Sequence, residues 1–281
     1  MRRRCTHACL PLALGECQGG ETRYNKEKIL QGQGIDEPLS ETGFQQARAA
    51  GVFLSNTKFT HVFSSDLLRA KQTAASILGK SQFCKETAVK YDPRLRERGY
   101  GVAEGRPLSD LRIMAKAAGE QCPSFTPPGG ETLEEVKARG EDFFATLCRL
   151  IVKEACQEKQ APERTAGNDA DKPSTLLTNH HGSREFHSNP IGATEELFAS
   201  VLVVSHGAYM RSWLSYFVSD LGCILPASLT KTELSSVSPN TGVSQFIVKL
   251  ESKDNIKPKI QCICLNKNDH LGDVAAEHIK L

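Results

Sequence analysis

Residues 199–220 read ASVLVVSHGAYMRSWLSYFVSD, and this stretch decides the fold class. Its first seven residues are mostly apolar and β-branched, which is typical of a buried strand, and a helical pattern begins directly after His206 and Gly207. Parallel α/β sheets place their sites where a strand ends and a helix begins, because the first N–H groups of the helix attract an anion there. His206 is therefore a candidate catalytic residue. The alternative is a histidine that only fills the core at a strand end.

The alternation of strand and helix patterns continues on both sides of this stretch. A short strand over residues 59–66 runs into a helix, a long helix is predicted from about Thr132, and two strands at 244–251 and 257–266 close the chain. Alternating strands and helices predict an α/β fold with a mostly parallel central sheet and helices on both faces, in three layers.

Length and composition favour a single domain. The 281 residues suit one α/β domain with an embellishment. Between residues 157 and 189 the composition becomes polar, which predicts a flexible surface insertion. The histidines within it, His180, His181 and His187, are interpreted as chance residues of a loop rather than metal ligands.

The same numbers exclude several classes of function. A net charge of +2 gives no reason to expect a nucleic-acid partner. The ten cysteines form no C-x-x-C pair, so we expect no zinc or redox site and favour a reducing compartment. The longest apolar runs have the length of strands, so no membrane span is predicted.

Two more motifs carry side chains suited to phosphate chemistry. FSSDLLRAKQTA (63–74) is a strand, a polar turn and a helix, and its Arg69 could bind a phosphate with two N–H groups. LRERGYG (95–101) is a glycine-containing loop whose Glu97 could act as a general acid. Taken singly, each is more simply a solvated surface residue, so the interpretation depends on the motifs occurring together.

The motifs do occur together, in a known order. ETRYNKEKILQGQG (21–34), LSETG (39–43), FSSDLLRAKQTA, LRERGYG, PPGGET (127–132) and VVSHGAYMR (203–211) resemble the histidine phosphatase superfamily, with its phosphoglycerate mutase-like fold, over almost the whole chain from Gly20. The resemblance is closest to the fructose-2,6-bisphosphatases of that superfamily. It is also specific, because several long motifs agree in register.

The resemblance implies a mechanism and a set of site residues. In this family an Arg-His-Gly-Glu-Thr segment supplies a histidine that attacks the phosphoryl group, and water hydrolyses the phosphohistidine. His206 would stabilise charge on the phosphoryl group, and Glu97 would protonate the leaving oxygen. No metal or organic cofactor is expected. The residues implied to bind substrate are Glu21, Asn25, Gln31, Gly32, Arg69 and Gly207.

The chain departs from the family where the nucleophile belongs. In register, the family's segment becomes Gln18-Gly19-Gly20-Glu21-Thr22, so Gly19 replaces the histidine and Gln18 replaces a phosphate-binding arginine. CLPLALGEC (9–17) stands in place of the apolar first strand, and its Pro11 and Gly15 make it a poor central strand. We therefore expect residues 1–17 to form an atypical, poorly ordered leader and residues 18–281 to form the domain.

Three functional hypotheses follow. The first is a phosphatase for fructose 2,6-bisphosphate that restrains glycolysis, nearly inactive in this chain. The second is a non-catalytic variant that binds phosphometabolites or a partner. The third is an unstable variant, because losing a central strand exposes its neighbours. We expect a small phosphorylated sugar as ligand, a monomer and a cytoplasmic location, with nucleus or mitochondrion implied only by the resemblance.

Overall fold

A computed structural model describes residues 9–84, 86–158, 197–230, 233–234, 236–251 and 258–272. Within these ranges the strands are β1 (Cys9–Gln18), β2 (His61–Ser64), β3 (Val89–Tyr91), β4 (Ala199–Ser205), β5 (Val243–Glu251) and β6 (Pro258–Lys267). The helices are α1 (Arg23–Lys26), α2 (Glu41–Phe53), α3 (Leu68–Leu78), α4 (Leu108–Ala117), α5 (Leu133–Glu158) and α6 (Gly207–Ser219). Short 3₁₀ turns lie at Pro93–Leu95, Gly101–Ala103 and Asp269–Leu271.

The strands form one sheet in the order β3-β2-β4-β1-β5-β6. The first four strands of that order run parallel to one another, β5 is antiparallel to β1, and β6 is antiparallel to β5. The prediction of an α/β fold with a mostly parallel central sheet is confirmed. Because β1 and β4 are parallel neighbours, their carboxyl ends meet at the same edge of the sheet.

Helices cover both faces of the sheet, as predicted for three layers. On one face α5 and α6 pack through Phe143 and Trp213 against Leu12, Val201 and Phe246 of the central strands. On the other face α2 and α3 pack against the alternate side chains of the same strands, with the cluster including Ala50, Ile77, Val62, Leu202 and Val204. The burial of both faces explains why β4 is apolar along nearly its whole length.

The interpretation of residues 9–17 as a poor strand within a disordered leader is wrong. They belong to β1, which lies in the centre of the sheet and pairs with β4 from Leu12 onward and with β5 from Cys9 to Cys17. The carbonyl of Pro11 accepts from the N–H of Phe198 at 2.9 Å, which places the nitrogen of Pro11 on the β4 side of the strand. The first residue pair between β1 and β4 is Leu12 with Ala199, so Pro11 lies at the start of this ladder. Its missing N–H therefore costs little pairing.

Other predictions fall partly outside the described residues. Gln157 and Glu158 belong to α5, so the predicted insertion cannot begin before residue 159. Its remainder lies outside the described ranges, with His180, His181 and His187, as do residues 1–8 of the predicted leader. In the part of the chain that is described, no helix is long and apolar enough to cross a membrane.

Candidate active site

The carboxyl ends of β1 and β4 lie side by side. Gln18 pairs with Ser205, and the N–H of Gly19 donates to the carbonyl of Ser205 at 3.0 Å. Gly19 and His206, which follow these two residues, therefore stand next to each other on adjacent strands. This geometry agrees with the register in which Gly19 occupies the position of the family's nucleophile.

The two glycines that follow β1 differ in the space around them. A Cβ on Gly19 would lie 3.7 Å from the oxygen of Ser205 and 3.9 Å from Oγ1 of Thr73, which are ordinary contact distances. A Cβ on Gly20 would lie only 2.6 Å from the carbonyl oxygen of Gly43. Position 20 thus requires glycine, whereas position 19 has room for a side chain.

His206 is the residue that precedes α6, and it is buried with 4% of its surface exposed. One ring nitrogen, Nε2, lies 2.8 Å from Oγ of Ser65, which follows β2. Burial lowers the pKa of His206 well below 6.5, and the positive charges of Arg69 and Arg139 lower it further. The imidazole is therefore neutral at physiological pH, and it can donate one hydrogen bond to an anion without carrying a charge.

Arg69 lies in the first turn of α3, as the strand–turn–helix motif suggested, and its side chain is buried rather than solvated. Its guanidinium donates to the carbonyl of Gly32 at 3.0 Å and to that of Ile35 at 3.3 Å. Burial lowers its pKa, and the negative charges of Glu97, Asp36 and Glu104 act in the opposite direction. These carbonyls take one edge of the guanidinium, so its remaining N–H groups are available to a ligand phosphate.

Glu97 lies in the loop after the first 3₁₀ turn, with its carboxylate at the amino end of α6. It accepts from the N–H of Tyr209 at 3.1 Å, from that of Ala208 at 3.3 Å and from that of Arg98 at 2.8 Å. The first N–H groups of a helix have no partner within the helix, and they carry the positive end of its dipole. Glu97 is thus held beside His206 by backbone groups of α6.

The loop after β1 supplies the opposite wall of the site. The amide of Gln31 donates to Oγ1 of Thr22 at 2.8 Å, and Gly32 adopts a left-handed conformation (φ +57°) that glycine favours. The amide of Gln18 donates to Asn240 at 3.3 Å, and the amide of Asn240 donates to Oδ1 of Asn25 at 2.9 Å. Because the oxygen of Asn25 is engaged, its NH₂ group remains to donate to a ligand.

These residues surround one cleft of about 160 Å³. Seven of the eight site residues named from the sequence line this cleft. Its lining residues are Gln18, Gly19, Gly20, Thr22, Asn25, Ile29, Leu30, Gln31, Gly32, Arg69, Glu97, Tyr100, His206, Gly207 and Asn240. Glu21 is the exception, because its carboxylate accepts from Oγ of Ser40 at 2.9 Å and it does not line the cleft.

Tyr100 and Asn240 are among the cleft residues that sequence reasoning missed. Tyr100 stands three residues after Glu97 within a motif that was recognised, so its position next to the acid was a usable indication. Asn240 precedes β5, more than two hundred residues after Asn25. Only the antiparallel pairing of β5 with β1 brings it to the cleft, and the local pattern contains no sign of this.

A larger groove of about 500 Å³ lies between the outer faces of α5 and α6. Apolar side chains such as Leu133, Val218 and Leu234 form much of it, and the amine of its Lys137 is paired with Asp220 at 2.8 Å. The smaller cleft combines a buried arginine, a neutral histidine, a carboxylate and a helix amino end. It is therefore the candidate active site in spite of its size.

Comparison with known proteins agrees with this geometry. The family model described as "Histidine phosphatase superfamily (branch 1)" matches residues 19–154. The fructose-2,6-bisphosphatase TIGAR of Bos taurus is 58% identical over 264 residues, which cover 93% of this chain and 97% of that protein. TIGAR B of Danio rerio is 43% identical, over 94% of this chain and 98% of that protein.

Solved structures give the same fold at lower identity. The phosphoglycerate mutase from Bacillus anthracis str. Sterne superimposes with a TM-score of 0.62 at 19% identity, covering 94% of this chain and 96% of that one. An identity this low supports the fold alone. In the described part of the chain, no group of three or more histidine, cysteine or acidic side chains is arranged to hold a metal ion.

Proposed function

Because the chain belongs to the histidine phosphatase superfamily, we propose that its cleft binds fructose 2,6-bisphosphate and is built to hydrolyse the 2-phosphate. One observation carries the proposal: Gly19 and His206 stand side by side at the ends of β1 and β4, in the cleft that Arg69 and Glu97 also line. Removing this metabolite would restrain glycolysis. The names of the relatives support this choice of substrate.

Each residue has a role that its surroundings make chemically reasonable. The free N–H groups of Arg69 bind the phosphoryl oxygens, and the NH₂ of Asn25 adds a donor from the opposite wall. His206 is neutral because burial lowers its pKa, so it donates a hydrogen bond to the charge that develops on the phosphoryl group. Glu97 provides the proton for the leaving sugar oxygen and afterwards accepts one from water.

The nucleophile is the missing part. A phosphatase of this family forms a nitrogen–phosphorus bond to histidine while the phosphate ester bond breaks, and Gly19 has no side chain that can do so. Removing a covalent nucleophile costs up to about 10⁶ in rate when the catalytic groups act as a unit. We therefore infer that this chain hydrolyses the ester very slowly.

The test compares phosphate release from fructose 2,6-bisphosphate by the chain and by its Gln18→Arg/Gly19→His variant. The space around Gly19 allows a side chain there, so we expect the double variant to fold and to turn over at least about 10³-fold faster. Circular dichroism and thermal unfolding of both proteins check the folding. A phosphohistidine trapped after acid-free quenching identifies the new side chain as the nucleophile.

As a control, Glu97→Gln is added to the double variant. This substitution should remove most of the restored turnover. If the unmodified protein already turns over as fast as the double variant, the nucleophile lies elsewhere and the proposed register is wrong. If the double variant folds and stays inactive towards this ester and towards other phosphorylated sugars, the proposed activity is wrong.

A second candidate function is binding without turnover. It is favoured by the survival of Arg69, His206 and the Asn240–Asn25 hydrogen bond in a chain that lacks the nucleophile. Isothermal titration calorimetry of the unmodified protein with fructose 2,6-bisphosphate tests this binding function, because an inactive protein leaves the ligand intact. Binding that Arg69→Gln abolishes would support this function, and no heat at millimolar ligand would contradict it.

A further inference from the structure

Arg139 lies on α5, outside the cleft, and its guanidinium is only slightly exposed. It does not line the cleft, yet it donates to three backbone carbonyls of the segment that carries the acid. The distances are 2.7 Å to Arg94, 2.6 Å to Arg96 and 2.9 Å to Glu97. A planar guanidinium suits this task, because its N–H groups form a rigid fork.

Glu131 completes the arrangement from the other side. Its two carboxylate oxygens accept from Nε and Nη2 of Arg139, each at 3.0 Å, and the same carboxylate accepts from the N–H of Gly99 at 2.8 Å. The amide of Gln33 donates both to this carboxylate at 2.8 Å and to the carbonyl of Glu97 at 2.9 Å. The backbone at Glu97 is therefore held by two donors that share one carboxylate.

Arg139 also contacts the element that receives the Glu97 carboxylate. Its guanidinium lies over the ring of Tyr209, 5.2 Å from the centroid. The N–H of Tyr209, together with that of Ala208, donates to the carboxylate of Glu97. The same arginine thus fixes both the backbone of the acid and the helix end on which its carboxylate rests.

We propose that Arg139, paired with Glu131, is a positioning residue for Glu97. It holds the carboxylate at the amino end of α6, where Ala208 and Tyr209 donate to it and where it lines the cleft together with His206. The inference rests on the proposed function for the role of Glu97, but the positioning itself can be tested without turnover. Small displacements of a catalytic group are costly, so residues that fix its backbone affect the rate without touching the substrate.

Arg94 offers a matched control on the same segment. Its side chain also ties the segment to α5, through Asp142 at 2.7 Å and Thr146 at 3.0 Å, and it pairs with Asp92 at 2.6 Å. None of these contacts involves Glu97. Arg94→Gln should therefore lower stability by a similar mechanism to Arg139→Gln while leaving the acid in place.

The first experiment measures amide hydrogen exchange in the protein that retains Gln18 and Gly19. The N–H groups of Ala208 and Tyr209 have no partner within α6, so their protection depends on the carboxylate of Glu97. We expect Arg139→Gln to speed their exchange about tenfold or more, and Arg94→Gln to leave it unchanged. The proposal would be overturned if the N–H groups of Ala208 and Tyr209 exchanged equally fast in the two variants. It would also be overturned if their exchange rose only together with that of all other N–H groups of α6.

The second experiment uses the Gln18→Arg/Gly19→His background. Arg139→Gln should lower kcat by about 10- to 100-fold with little change in KM, because the substrate contacts remain while the acid moves. Arg139→Lys, which keeps the charge but loses the fork, should recover part of the rate. A change in KM alone, or an equal loss of kcat in Arg94→Gln, would mean a general structural role.

The two failures can be told apart. If the double variant folds but turns over neither this ester nor other phosphorylated sugars, the proposed function is wrong. Amide exchange at Ala208 and Tyr209 then still decides whether Arg139 positions Glu97. If the double variant is active and Arg139→Gln changes neither kcat nor exchange, the proposed function stands and the positioning role is wrong.

Discussion

The ends of β1 and β4 lie side by side, but they differ in what they contribute. β4 ends in Ser205 and leads to a buried, neutral histidine, whereas β1 ends in Gln18 and leads to a glycine. The two strands nevertheless pair in register and end at the same level of the sheet. The comparison teaches that the backbone of a site can be retained where the side chain needed for the chemistry is absent.

The same two strands also differ two residue pairs earlier, in the core. Glu16 of β1 pairs with Val203 of β4, and both are almost fully buried. Burial raises the pKa of Glu16 to about 8, and among the described residues its Oε1 has no hydrogen-bond partner. β1 therefore contains a polar residue where β4 has an apolar one, and this is a source of instability that leaves the strand itself intact.

The largest effect should come from making the end of β1 resemble that of β4. Gly19→His alone is expected to raise phosphate release from fructose 2,6-bisphosphate by about 10³-fold or more, because it supplies the nucleophile. Gln18→Arg alone should give no increase, since it adds a charge and no nucleophile. Initial rates of both single variants test this, and a rise in Gln18→Arg alone would contradict it.

The next largest effect concerns stability. It is expected when Glu16 is replaced by valine, the residue type of its partner Val203 on β4. In the unfolded chain Glu16 ionises above 4.5, but in the folded chain it does so only above about 8. The folded state therefore holds an extra proton between these values, and stability falls as the pH rises through this window. The rise in pKa corresponds to a loss of roughly 5 kcal/mol above pH 8 as an upper value.

Glu16→Val should remove this loss. We expect its urea midpoint to exceed that of the parent chain by more at pH 8.5 than at pH 5, with an unchanged slope. Glu120→Gln, which removes an exposed carboxylate, serves as the control. Parallel curves for Glu16→Val and the parent chain across this range would mean that Glu16 is not buried as described.

A smaller effect is expected at Arg69, on the β2 side of the cleft. Arg69→Lys keeps a positive charge but loses the fork that reaches Gly32, Ile35 and a phosphate together. Affinity for inorganic phosphate should fall by about tenfold, and thermal stability should fall slightly. Titration calorimetry measures the affinity, and Lys71→Arg on the same helix controls for the exchange of cations.

The smallest effect should come from Asn240, which connects the amide of Gln18 to Asn25. Asn240→Ala removes the hydrogen bond that orients Asn25, so phosphate affinity should fall by a few-fold, about the value of one neutral hydrogen bond. In an Asn25→Ala background the same substitution should have almost no further effect. An undiminished loss in that background would mean that Asn240 contacts the ligand itself.

The site was largely predictable where one short segment contains both a strand end and a helix start. His206 and Arg69 belong to such segments, so their place at the edge of the sheet followed from the local pattern. β1 was misjudged because Pro11 was weighed by propensity alone, whereas pairing with β4 and β5 decides its stability. Asn240 and Arg139 could not be inferred, since they reach the site only through long-range packing.

The position of β1 between β4 and β5 has a consequence for biosynthesis. β1 is made first, but its two neighbours begin at Ala199 and Val243. At typical translation speeds of about 5–20 residues per second, the first strand waits roughly ten to fifty seconds before its last partner exists. Until β4 has been made, Leu10, Leu12 and Leu14 have neither of the two strands that flank β1. The apolar side chains of this segment therefore remain without their sheet until most of the chain has been made.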